Sequence, residues 1–185
     1  MSATTRSFVR SLAGALALAA ASALATVPAA APPLPPTVAS LLPQARAQGG
    51  GELTWFGLPI YHGYLWSTGG GFSFDAPFAL DLHYQRPLAG RAIAQRSVEE
   101  IAKLGFGDAA DHARWGDAMA RLFPDVRRGD HLTGVHVPGR GVRFFHNGRP
   151  LGEIADADFA RAFFGIWLDA RTSRPDFRRR LLGQA

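Results

Sequence analysis

Six histidines and no cysteine set the first limits on what chemistry this 185-residue chain can do. Without thiols there is no disulfide, thiolate metal site, cysteine nucleophile or lipid-modified cysteine anchor. Histidine could still hold a metal, but helix-borne zinc ligands need i, i+4 spacing, and no HExxH occurs. His62 and His83 fall on different strands. Pairing Val137 with Val142 sets Thr133 beside His146 and His136 beside Arg143, which sends His136 and His146 to opposite sheet faces. The expectation is scattered histidines, no metal site and no cofactor. Among the carboxylates, Glu99 and Glu100 are expected on the outer side of a helix and Asp156 and Asp158 at a helix start, so neither pair forms an acid–base dyad. Ser67, Ser73 and Ser97 lie outside any GxSxG elbow, and Ser173 belongs to a capping pattern. The aromatic residues remain, 13 Phe, four Trp and three Tyr. Most must be core. If they leave a cleft, Tyr61 is its polar contact and Ile93, Phe163 and Trp167 form its helical wall.

The elements that would position these residues are legible from periodicity. Leu53–Phe56 and Ile60–Ser67 read as strands broken at Gly57 and Pro59. Phe78–Arg86 alternates, with Phe78, Leu80, Leu82 and Tyr84 on one face and Asp81, His83 and Gln85 on the other. Helices follow at Arg91–Leu104, ended by Gly105, and at Ala109–Phe123, stopped by Pro124. His131–Val137 and Val142–His146 form a hairpin around Pro138–Gly141, and Asn147-Gly148 turns the chain into a short strand near Leu151–Glu153. Asp156 then caps a helix whose Phe159, Ala162, Phe163, Ile166 and Trp167 make a broad aromatic face. A basic helix closes the chain from Pro175 to Leu182, its arginines read as a solvated face. Strands joined by short turns, with helices grouped between and after them, predict an antiparallel α+β fold.

The first 25 residues carry Arg6 and Arg10 ahead of an apolar run, Ser11–Ala25, the pattern of a secretory signal. Cleavage is expected near Ala25, or as late as Ala47. Residues 26–51, rich in Ala, Pro and Gly, are expected to be a linker, with the domain starting at Glu52. The location implied is periplasmic or secreted, with no transmembrane segment in the mature chain. The formal charge of +5 is misleading, because beyond Arg6, Arg10 and Arg46 there are 17 basic and 15 acidic residues. So small an excess is no nucleic-acid footprint.

The segments LHYQRPLAG, IAQRSVEEIAKLGF, FPDVRRGDHLTGVHVPGRGVRFFHNGRPLGEI, DFARAFFGIWL and TSRPDFRRRLLG together resemble the bacterial chalcone isomerase-like family across residues 52–183. The Phe144–Gly148 turn and the FFGIWL helix are the most specific elements. The resemblance implies an antiparallel sheet with helices packed on one face and a lipophilic cleft between the layers. Some relatives are plant isomerases that close chalcones to flavanones; others bind fatty acids or have no known activity. The plant enzymes hold an enolate with an arginine, assisted by threonine, tyrosine and asparagine. Matching that motif places Leu53 at the arginine, Tyr61 at the threonine, Ile93 at the tyrosine and Glu100 at the asparagine. Arg86, at a strand end, is then the nearest arginine. Loss of the cation implies a non-catalytic binder of a small lipophilic ligand, fatty-acid-like or aromatic. An intramolecular lyase or isomerase using Tyr61 and Arg86 is the alternative, and a periplasmic partner-binding module a third.

Overall fold

The computed structural model describes Met1 and residues 31–184, so the expected signal sequence lies outside the described residues. Six strands form the sheet: β1 (Arg46–Trp55), β2 (Leu58–Ser67), β3 (Phe78–Tyr84), β4 (His131–Val137), β5 (Gly141–His146) and β6 (Arg149–Ile154). Each pairs antiparallel with its neighbour in chain order, β1-β2-β3-β4-β5-β6. Four helices, α2 (Gly90–Leu104), α3 (Ala109–Leu122), α4 (Ala157–Leu168) and α5 (Pro175–Leu181), share one core with a single sheet face. A short α1 (Pro36–Ala39) packs on the other face. This is the α+β architecture the periodicity predicts.

On β3, Phe78, Leu80, Leu82 and Tyr84 enter the helix-side core, while Ala79 joins the second face. α4 is the central helix of the helix layer, with nine of its twelve residues buried. A helix apolar almost all round must be covered on every side, and α2, β5 and α5 all contact it. Its start is fixed by Asp156, whose carboxylate accepts from the Phe159 N–H at 2.9 Å, from Trp115 Nε1 at 2.9 Å and from Arg114 Nη1 at 2.6 Å. One side chain thus caps α4 and ties it to buried Trp115 of α3. Asp156→Ala should cost about 3 kcal/mol, combining a lost cap with a stranded indole N–H. Burial alone would raise this carboxyl, but those hydrogen bonds outweigh it and hold it below the usual range. A depressed folded value means the stabilisation is complete above the unfolded value of about 3.9 and is lost as pH falls through the lower folded one. Urea melts should therefore show the wild-type advantage over Asp156→Ala shrinking as pH drops from about 5 toward 2.

The domain begins earlier than Glu52. β1 starts at Arg46, and the three glycines expected to end a linker are strand residues. A Cβ on Gly49 would lie 2.2 Å from the Arg180 carbonyl, and one on Gly51 would meet the Arg180 side chain. Glycine is there to let α5 lie against the sheet. Upstream, Val38 and Leu42 are fully buried against Ala79, Val135 and Phe145, and Thr37 Oγ1 donates to Gly148 O at 2.6 Å. Residues 34–45 are therefore part of the domain.

Two of the three arginines of α5 depart from the expected solvated face, while Arg179 is exposed as expected. Arg178 Nε donates to Leu168 O at 2.8 Å and Arg180 Nη2 to Glu52 O at 3.0 Å, clamping α5 to α4 and β1. Ser173 also departs from the capping reading. Its hydroxyl donates to Glu100 Oε2 at 2.7 Å, and no side-chain hydrogen bond caps α5.

The β4–β5 register is one residue away from the sequence pairing: Val137 faces Gly141, Thr133 faces Phe145 and His136 faces Val142. Gly141, at φ +149, continues the strand where a turn residue was expected. His136 and His146 consequently share a face, at opposite ends of their strands.

Candidate functional site

Between the sheet and the helices is a cavity of about 380 Å³. Its sheet floor carries Leu80, Leu82 and Leu132, and its helical wall carries Ile93 and Ala92 from α2 and Phe163, Ile166 and Trp167 from α4. β2 supplies Tyr61 and β3 supplies Tyr84. Gly134 of β4 lines it too, opposite Phe144. Of the sequence-predicted site residues, Tyr61, Ile93, Phe163 and Trp167 are brought together on this lining. Arg86 is not among them: it is exposed beyond the end of β3.

The cavity does have cations, from places the sequence comparison did not reach. Arg96 on α2 and Arg174 just before α5 both line it. Arg174 Nη2 donates to Thr54 O at 2.6 Å, and its remaining guanidinium N–H groups have no acceptor among the described residues. Arg96 lies over the Trp55 ring at 4.7 Å and pairs with Glu100 at 2.5 Å. Glu100 is a buried cavity residue, where the helix pattern placed it outward. Burial alone would raise its carboxyl; hydrogen bonds from Lys103 and Ser173, with the charge of Arg96, hold it below its usual value. Glu100 is thus an ionised group already engaged by cations, rather than a free negative charge facing the cavity. Leu53, matched in sequence to the family's arginine, lines the cavity too, as does Arg174.

Tyr61 is the polar centre. Trp167 Nε1 donates to its oxygen at 2.8 Å, so the hydroxyl proton is left to donate elsewhere, and no described residue accepts it. Burial pushes this hydroxyl up to about 12, so it stays protonated at neutral pH. Tyr84 packs edge-on against it at 5.7 Å and is likewise raised by burial. The site can therefore do three things: shelter an apolar body, donate a phenolic proton, and present a guanidinium nearby.

A sequence model of the chalcone isomerase-like family matches residues 80–183. The chain belongs to the chalcone isomerase-like family. An uncharacterized protein of Haemophilus influenzae is 32% identical over 137 residues, spanning 74% of this chain and 67% of that protein. Among solved structures, an Arabidopsis thaliana fatty-acid binding protein superposes with a TM-score of 0.61 at 12% identity, over 76% of this chain and 87% of that one. At that identity the likeness concerns the fold. The family's sheet-and-helix architecture is thus present, with a cavity between its layers.

Arg96, Arg174 and Tyr84 were missed by sequence reasoning for separate reasons. Arg174 sits in what reads as a helix cap, and Arg96 in what reads as the polar side of α2. Tyr84 was assigned to the right face of β3, but nothing local distinguishes a core tyrosine from one beside a void.

Proposed function

We propose that this chain is an exported, non-catalytic binder of an amphipathic carboxylic acid, its apolar chain in the cavity and its carboxylate against Tyr61 and Arg174. The observation that carries the reading is a phenol with a spare proton and a guanidinium lining one largely apolar cavity. The volume falls in the range of about 300–1,000 Å³ typical of small-molecule sites. The fatty-acid binding of the Arabidopsis structure supports the same ligand class. Export rests on the Arg6/Arg10 and Ser11–Ala25 pattern, with cleavage near Ala25. Cleavage after Ala47 would remove Val38 and Leu42, both fully buried.

The test is a matched pair of ligands, a long-chain acid and the alcohol of equal length, titrated into delipidated protein. Arg174→Gln should weaken the acid by about tenfold or more, since hydrogen bonds to charged groups contribute about 1.5–3 kcal/mol. The alcohol should change little. Equal weakening of both would refute a carboxylate contact.

The same donor pair favours one second reading, an isomerase that holds an enolate. Arg174, not Arg86, would be its cation, and Tyr61→Phe should then abolish turnover of an enone substrate. Unchanged turnover would end this version.

A further inference from the structure

The opposite face of the sheet carries a second constellation. His62, His83 and His131 sit directly across from one another on β2, β3 and β4. Asp81, two residues before His83 on the same face, is 1% exposed. His83 Nε2 lies 2.7 Å from Asp81 Oδ2, and His131 Nδ1 lies 3.0 Å from Asp81 Oδ1. Thr133 Oγ1 donates to Asp81 Oδ1 at 2.7 Å. We propose that Asp81, His83 and His131 form a binding site for a divalent transition metal of the zinc class, independent of the cavity.

Two imidazoles and one carboxylate are a donor set suited to Zn²⁺, Co²⁺ or Cu²⁺ rather than to Mg²⁺ or Ca²⁺, which prefer oxygen. With metal–ligand distances of about 2.0–2.1 Å, tetrahedral ligand atoms stand roughly 3.3 Å apart. The three donor atoms here lie within 4.8 Å of one another, so side-chain shifts of an ångström or less would suffice. The strands hold the donors in place, because His83 and His131 are paired backbone to backbone and their rings stack at 4.8 Å. Thr133 supplies the outer hydrogen bond that orients a ligating carboxylate. The His83 side chain is 30% exposed, which leaves a fourth position open to water or to a small ligand. To ligate, each imidazole only has to carry its proton on the nitrogen away from Asp81. A strand-borne site of this kind escapes sequence spacing rules, since its ligands are 48 residues apart and meet only through the β3–β4 register.

The competing account is a closed hydrogen-bond network around a buried carboxylate, with no affinity for metal. Zn²⁺ and Co²⁺ titrations of tag-free, chelator-treated protein separate the two. The proposal expects one equivalent bound, a visible absorption band of four- or five-coordinate Co²⁺, and at least a hundredfold loss in His83→Ala and in His131→Ala. His112→Ala, whose ring bonds Phe106 O elsewhere, should bind as the wild type does. Should either variant fail to fold, imidazole resonances of the wild-type protein decide the matter: Zn²⁺ should shift His83 and His131 and leave His136 in place. No saturable binding, binding that survives both substitutions, or shifts confined to other histidines would overturn the proposal.

Discussion

Ile93→Trp should cut the affinity for a long-chain carboxylic acid by roughly 50-fold while leaving the domain folded. Ile93 is only partly buried by protein and faces the cavity from α2, so a larger ring at that position grows into the space a ligand would use. Displacing about three methylenes of ligand forfeits about 2.4 kcal/mol at about 0.8 kcal/mol each. The protein itself should lose little, because the added atoms enter a void of about 380 Å³ rather than a filled core. Displacement of a fluorescent fatty acid measures the first effect and thermal melting the second. Wild-type affinity in a folded variant would place the ligand elsewhere.

Gly49→Ala should be strongly damaging, costing about 3 kcal/mol or more. Its Cβ would lie 2.2 Å from Arg180 O and 2.7 Å from both Leu181 O and Gly183 N, all backbone atoms that cannot rotate away. α5 would have to lift from β1, taking with it buried Phe177 and Leu181. Gly70→Ala is the control, since nothing lies within 4 Å of a Cβ there. It should stay within about 0.5 kcal/mol of wild type in urea melts. Equal, small effects at both positions would mean that α5 does not pack closely on the strand.

The same glycine shows where sequence reading succeeds and where it stops. Alternation along β3 and the 3.6-residue spacing of α4 are local signals, and both elements form where the pattern puts them. Gly49–Gly51 looks like a linker because glycine has no local preference. Only the approach of α5, about 130 residues later, makes it a strand residue. Glu100 misled for a related reason. A carboxylate four residues from Arg96 and three from Lys103 suggests a solvated stripe, yet the pairing is what allows Glu100 to be buried at the cavity. Trp167 was legible as a candidate from the aromatic face of its predicted helix, and Tyr61 from the family motif match. Their mutual hydrogen bond, across 106 residues, was not. The cations were hardest to see, since Arg174 reaches the cavity through an irregular segment with no periodicity to read.

The account stands or falls on whether the space between sheet and helices takes up an apolar chain with an acidic end. Saturated monocarboxylic acids of increasing length, titrated into delipidated protein, test this most directly. Affinity should rise about fourfold per added methylene, then level off once the cavity is full, with Ile93→Trp levelling off at shorter chains. Absence of binding, or an affinity indifferent to chain length, would contradict it.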